Sequence, residues 1–573
     1  MSVIVLVGIA ITIATGIPVW LQMRNHPRGL KVLFFAEMWE RFSFYGMRGL
    51  LIFYLTRHFL LDDASANGQY GAYTALVYLT PLIGGVLADR FLGTRKAIVF
   101  GALLLVAGHG LMAVEGDPAR QYLLHDGQRY EVVTGETPRL VVDGTPYAYG
   151  PAPGGGIAIQ GLPADAALPQ TLASGSYSTV EERDPFFFAV FYLALAFIVM
   201  GVGFLKPNIS TIVGQLYTAG DPRRDSGFTL YYYGINLGAF WATVLCGLLG
   251  ETVGWWAGFG LAGVGMLAGL VVFILGKAAL EGNGEPPQPA RLAAPVLGAL
   301  TREHLIYLGG LAGVAICWAL VQRNEAVGMI LTLGSIITLG YVGWYIATRC
   351  NARARFDMLL ALLLVAGAVV FFTLFEQAGS SMNLFADRNT QLPEGFTAPQ
   401  TQSFNAGFIL IFAPIFALAW TWLARRNWEP DPIVKFGLGL LQAGLGFLVL
   451  VWAAGTADAD YRMPLVFLAL AYLLHTTGEL CLSPVGLSEI TKLSVPALVS
   501  TMMAVWFLSS SWAQYIGAYI AELAGTETIG GQVVDPRAAL ETSLSVFHMI
   551  GWVGVGCGVL LFLISMILKR RTV

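Results

Sequence analysis

Fifteen apolar runs, each long enough to cross a hydrocarbon core about 30 Å thick, leave few folds open to this chain. They fall at 2–21, 31–56, 70–92, 96–114, 186–205, 227–249, 254–276, 304–321, 327–347, 356–378, 404–424, 433–454, 463–490, 497–522 and 544–568. A backbone in lipid satisfies its polar groups only within helices or a closed barrel. Runs of this length predict helices, hence an all-α, multi-pass membrane protein. Only 12% of the 573 residues are charged, against about 25% in an average soluble domain; a nucleic-acid partner is not expected. The five cysteines, Cys246, Cys317, Cys350, Cys481 and Cys557, have no metal-ligand spacing and read as small packing residues. No metal or cofactor is expected.

Basic residues between the runs set the orientation. Arg24, Arg28 and Lys31, then Arg90, Arg95 and Lys96, Arg223 and Arg224, Lys277, Arg349 to Arg355, Arg425 to Lys435, Lys492 and Lys569 to Arg571 fall alternately on one side. The positive-inside rule makes that side cytoplasmic, the C-terminus included. Residues 116–184, rich in Gly and Pro, then lie outside. Alternating segments at 130–133 and 139–142 around Thr-Gly-Glu-Thr-Pro predict a small β-hairpin there. The expected plan is an extra hydrophobic helix at 1–23, a six-helix bundle at 24–277 and a cytoplasmic linker at 278–303. An inserted helical hairpin at 304–348 and a second six-helix bundle at 349–573 complete it. Residues 1–22 have no basic n-region or A-x-A site, so a cleaved signal peptide is not expected; they are either an accessory helix with its N-terminus outside, or not translated, the chain then beginning at Met23.

One run breaks its own rule. Between Phe34 and Arg48 it carries Glu37, Glu40, Arg41 and Arg48. Each charge at the centre of a membrane helix costs at least about 2.5–3.5 kcal/mol. At about 100° per residue from Glu37, Glu40 lies near −60°, Arg48 near +20°, Arg41 near +40° and Tyr45 near +80°. The polar residues share one stripe, two acids against two bases. Either they glue helices together as a neutral cluster, or they line a transport pathway.

Further motifs choose between these. Gly84-Gly85-Val86-Leu87-Ala88-Asp89-Arg90 to Lys96 joins paired glycines, which let helices approach closely, to Asp89 and bases that can lock helix ends. It resembles the loop signature of the major facilitator superfamily. Glu37-Met38-Trp39-Glu40-Arg41 resembles the E-x-x-E-R motif of its proton-coupled oligopeptide transporters. Lys206-Pro207-Asn208, Tyr231 to Gly238, Phe375-Glu376-Gln377 and Gly478-Glu479 to Ser488 resemble further signatures of that family, in the same order. Phe44, Ala406, the long 116–184 loop and the leading helix depart from its pattern. Gly258-Phe259-Gly260-Leu261-Ala262-Gly263 matches a dinucleotide fingerprint but lies in a membrane helix without a preceding strand, so it reads as helix packing.

The resemblance implies a major facilitator fold and a symporter importing di- and tripeptides with protons, acting in the plasma membrane (the inner membrane of a bacterium) as a monomer. It implies no enzymatic activity. From the residues, Glu37 and Glu40 with Arg41 suit proton coupling, and Lys206 suits a competing cation. Arg48 and Lys206 can hold a peptide carboxylate, and Glu479 its amino group. Asn236, Asn405 and Ser483 offer hydrogen bonds, and Tyr45, Tyr78 and Trp506 offer pocket walls. The resemblance further implies that Glu376 pairs with Arg48 in an outer gate; Asp89 belongs to the inner one. Bland readings stand beside these: Lys206 snorkelling to the interface, Asn236 bonding helix to helix, Trp506 packing, and His475 making a structural hydrogen bond. The alternative cargo is another small substrate, such as nitrate or a peptide-like drug.

Overall fold

The computed structural model describes residues 3–135, 137–152, 155–218 and 220–572. Glu136 of the expected turn, and the side chains of Pro484, Val485, Leu487 and 569–573, lie outside the described residues. All fifteen apolar runs form helices. In chain order these are α1 (Val3–Met23), α2 (Arg28–Phe53), α3 (Asp63–Leu92), α4 (Thr94–Met112), α5 (Pro185–Gln215), α6 (Arg224–Thr252) and α7 (Trp255–Leu275). The remainder are α8 (Arg302–Val321), α9 (Asn324–Arg349), α10 (Ala352–Phe375), α11 (Ser403–Arg425), α12 (Pro432–Trp452), α13 (Leu465–Leu493), α14 (Val499–Leu523) and α15 (Pro536–Thr572). Among the described residues, thirteen of these helices are long and apolar enough to cross a membrane. The two that fall short are informative: α2 carries the charged stripe, and α14 carries Ser509–Ser511 with Gln514.

Helices α2 to α7 pack among themselves, with α2 against α6 and α7 and α4 against α5. Helices α10 to α15 do likewise, with α12 against α13 and α15. Two seams join the groups, α3 on α14 and α6 on α11. The additional elements occupy those seams. Helix α1 lies on α6 and α11, its Thr15 hydroxyl 2.9 Å from that of Tyr233. The α8–α9 hairpin lies on α3, α5 and α14, where Trp512 Nε1 donates to Ser335 Oγ at 2.7 Å.

Close approach explains the paired glycines. A Cβ at Gly84 would sit 2.0 Å from the Gly203 carbonyl oxygen of α5, and one at Gly238 would sit 2.1 Å from that of Met38. At Gly258 a Cβ would meet Leu50 at 2.5 Å, so that glycine run does serve packing. The second half of α3, from Pro81 onward, ends in a wider turn over Ala88–Leu92, which carries Asp89.

The 116–184 segment is larger than the expected hairpin. Strands 128–133 and 139–142 do pair, Val132 opposite Leu140, but within a seven-stranded antiparallel sheet. Its strands are β1 (Arg120–His125), β2 (Gln128–Val133), β3 (Arg139–Val142), β4 (Thr145–Pro151), β5 (Ile157–Ile159), β6 (Thr171–Leu172) and β7 (Ser178–Glu182), in the order β6-β5-β4-β3-β2-β1-β7. Asp126-Gly127 and Asp143-Gly144, all four at positive φ, close two of its hairpins, the chemistry a two-residue turn demands.

This sheet ties both helix groups together at one end. Arg183 Nε donates to the Phe59 carbonyl at 2.6 Å, after α2. On the other side, Gly530 N donates to Gln121 Oε1 at 2.6 Å and Tyr149 donates to the Ile529 carbonyl at 3.0 Å. Ile529 and Val534, from the α14–α15 connection, are buried in the sheet's own apolar core with Leu123 and Leu140. Leu140→Ala should cost about 2–5 kcal/mol of that local core. Limited proteolysis should then cut within 116–184 faster while circular dichroism shows unchanged helix content.

Candidate functional site

The stripe predicted on α2 faces the interior. Glu37 and Glu40 are each 1% exposed and Arg41 8%. Arg41 Nε donates to Glu37 Oε1 at 2.9 Å and lies 3.2 Å from Glu40 Oε2. The two acids are therefore not equivalent. Glu37 has the aligned hydrogen bond; neither oxygen of Glu40 has a hydrogen-bond partner among the described residues. Lys206, on facing α5, places its ammonium 4.0 Å from the centroid of the Tyr78 ring, a cation–π contact. It makes no ion pair with either glutamate, though it interacts electrostatically with both and with Glu376. Tyr231 of α6 is buried beside the cluster.

Nearly two turns along α2, Arg48 reaches across to the other helix group. Its Nη2 donates to Glu376 Oε2, and its Nε donates to the Tyr70 hydroxyl at 2.6 Å. The fork of the guanidinium is thus divided between a carboxylate and a phenol, with Arg48 only 6% exposed. Breaking one side of a buried pair costs about 3–5 kcal/mol, so this contact is firm unless another anion replaces Glu376. Tyr45, Arg48, Glu376, Asn405 and His475 border one cavity of about 40 Å³, and Tyr472 and Gln402 are among its other lining residues. That is room for a few water molecules, far below the roughly 300–1,000 Å³ of a small-molecule pocket. The site is constricted in this conformation.

Asn405 continues the constellation. Its Nδ2 donates to Thr476 Oγ1 at 3.0 Å and to Glu479 Oε2 at 3.3 Å, which ties the partly buried Glu479 of α13 to a residue bordering the cavity. Ser483, one turn beyond Glu479, has a buried hydroxyl with no partner among the described residues. Asn236 and Trp506 stand apart. Asn236 donates to the Tyr232 carbonyl of its own helix at 2.9 Å. Trp506 packs against Phe372 and is not among the residues bordering the cavity. His475 lies 3.0 Å from the Ala443 carbonyl oxygen, a structural hydrogen bond.

Closure is one-sided. The described ion pairs between α2–α7 and α10–α15 are Arg48–Glu376, Arg57–Asp387 and Asp63–Arg388, the last with Nη2 to Oδ1 at 2.7 Å. All run toward the end capped by the β-sheet. At the opposite end Asp89 is exposed and makes no ion pair among the described residues. Arg95 instead holds Glu285 at 2.9 Å, and Lys96 holds Glu303 at 2.6 Å. Tyr70, Thr476 and Gln402 are site residues that sequence reasoning did not single out. Tyr70 had a signal, since it is a tyrosine on the helix after the charged stripe.

A family model described as the POT family matches residues 95–534. The peptide transporter YePEPT of Yersinia enterocolitica is 30% identical, the match covering 95% of each chain. A di-/tripeptide transporter of Lactococcus lactis is also 30% identical, over 94% of this chain and 95% of its own. Among solved structures, a peptide transporter POT in complex with sulfate superposes with a TM-score of 0.70 at 32% identity, covering 95% of this chain and 96% of that one.

Proposed function

The chain belongs to the POT family, and from that premise we propose that it imports di- and tripeptides together with protons, by alternating access between its two six-helix groups. It is a multi-pass membrane transporter of the major facilitator type, not an enzyme. The observation that supports the substrate assignment is a cation and a carboxylate held on opposite helix groups beside one cavity. Arg48 of α2 and Asn405 of α11 border that cavity, and Asn405 donates to Glu479 of α13, which stands behind it and does not itself line the cavity. A peptide presents a carboxylate and an amino group about that way round. Nitrate would meet a repelling carboxylate at Glu479, which disfavours the anion reading.

In this reading the sheet-capped side is extracytoplasmic, the C-terminus is cytoplasmic, and the conformation is closed to the outside. Opening outward separates Arg48 from Glu376 and frees the guanidinium for the substrate carboxylate. Lys206 moves from Tyr78 toward the α2 glutamates, and Glu40 carries the proton while Glu37 holds Arg41. Asp89 acts in the state in which the cytoplasmic end closes. Tyr45, Tyr78, Asn236, Asn405, Ser483 and Trp506 shape the peptide site once it widens. One chain carries the whole pathway, so the functional unit is the monomer. One proton crossing 100 mV supplies about 2.3 kcal/mol, roughly fifty-fold accumulation.

Purified protein in liposomes should accumulate a labelled dipeptide only with an inward proton gradient. Uptake that ignores the gradient would remove the coupling, and no uptake of any small peptide would remove the substrate class.

A further inference from the structure

We propose that the outer face of α3 and the α8–α9 hairpin enclose a binding site for an anionic phospholipid of the surrounding membrane. An apolar groove of about 680 Å³ runs between α3, α5 and α8. On α3 it extends from Leu76 to Phe91, about 22 Å at the helical rise. One leaflet's share of the hydrocarbon core is about 15 Å. The groove is therefore long enough for an acyl chain. Ile83 and Ile316, on its two walls, remain 60% and 61% exposed, as surfaces in contact with lipid do.

What identifies the occupant is the charge at one end. There the groove meets a second cavity of about 60 Å³, and Phe91 and Arg302 border both. The smaller cavity is also lined by Arg90 and Arg291. None of these three arginines makes an ion pair among the described residues. The neighbouring acids Glu285 and Glu303 are engaged by Arg95 and Lys96, and Asp89 is the other carboxylate close in sequence. The Arg291 guanidinium donates to Gln288 Oε1 at 3.2 Å, and that of Arg302 lies 5.8 Å from the Phe91 ring centroid. Three cations converge on a small cavity at the mouth of a chain-length apolar groove. A phosphodiester with attached acyl chains satisfies both parts; a soluble phosphate satisfies only one.

Of the α8 glycines along the groove, Gly310 and Gly313 let α8 approach Phe100 and Met200 closely, whereas Gly309 leaves open space: a Cβ there would have nothing within 4 Å. Gly309→Leu therefore places a side chain on the groove from a position where its Cβ meets no neighbour. The site also has a mechanical consequence. Because α8 lies on α3 and α5 while α9 lies on α14, a lipid held here cements the hairpin to one helix group at the seam with the other.

The test is native mass spectrometry of delipidated full-length protein titrated with phosphatidylglycerol, phosphatidylcholine or glycerol phosphate. The expected result is a retained phosphatidylglycerol at least tenfold preferred over phosphatidylcholine. Each basic residue at an anionic bilayer surface is worth roughly fivefold, so the R90Q/R291Q/R302Q variant should bind about a hundredfold more weakly. Gly309→Leu, with every arginine intact, should also lose the lipid. Equal retention of the two lipids, full retention by either variant, or glycerol phosphate binding as tightly as the lipid would each overturn the proposal. Arg291→Gln alone, at an exposed linker position, leaves the helices untouched and should still show a several-fold loss.

Discussion

Liposomes carrying Glu40→Gln are expected to show gradient-driven dipeptide uptake no higher than protein-free liposomes, while still exchanging labelled for unlabelled peptide. The substitution keeps the shape of the side chain and removes the one group in the α2 cluster whose carboxylate oxygens lack hydrogen-bond partners among the described residues. Arg41 loses only the 3.2 Å contact and keeps its bond to Glu37. The corresponding Glu37→Gln change is different in kind. It takes away the aligned partner of a buried guanidinium, at a cost of about 3–5 kcal/mol, and should lower the thermal midpoint markedly. A folded Glu40→Gln protein that neither accumulates nor exchanges peptide would show that Glu40 serves the substrate and not the proton. Equal stability of the two variants would show that Arg41 does not distinguish the acids.

The helices were legible because hydropathy and length report them directly, and α2 was legible because its charges contradict its hydropathy. Pairing was another matter. Arg48 and Glu376 lie 328 positions apart, so no spacing rule connects them, and only the family resemblance joined them. Tyr70, which takes the other edge of the same guanidinium, belongs to none of the sequence motifs. Asn236 lies within a motif, yet here it spends its amide on the Tyr232 carbonyl one turn back, as a polar residue in a dry helix does when no better partner is in reach. The β-sheet was underread because its strands run to only two to seven residues. The two Asp-Gly pairs at 126–127 and 143–144 were the available signal. The burial of Ile529 and Val534 in its core could not have been inferred, since those residues come from a connection nearly four hundred positions later.

The second large effect concerns Arg48, to which two tasks have been given: closing the outer gate on Glu376 and holding the substrate carboxylate. Exchanging the pair, as Arg48→Glu with Glu376→Arg, separates them. The swapped protein retains one positive and one negative group across the seam, and Asp63–Arg388 and Arg57–Asp387 remain to help seal that end. Spin labels on the exposed Ser65 and Glu394 should therefore report a distance close to that of the native chain. Glu376→Gln alone should lengthen or broaden that distance, because Arg48 then keeps only Tyr70 as a partner. Transport should follow the opposite order. A peptide carboxylate entering the swapped site meets a glutamate on α2 where it had a guanidinium. Loss of one charge-assisted hydrogen bond, about 1.5–3 kcal/mol, lowers the apparent affinity roughly ten- to 150-fold, and added repulsion lowers it further. Peptides amidated at the C-terminus, which lack that carboxylate, should be affected far less. A swapped protein that closes normally and still takes up free dipeptides at the native affinity would mean that Arg48 serves the gate alone, and that Lys206 is the cation that binds the substrate.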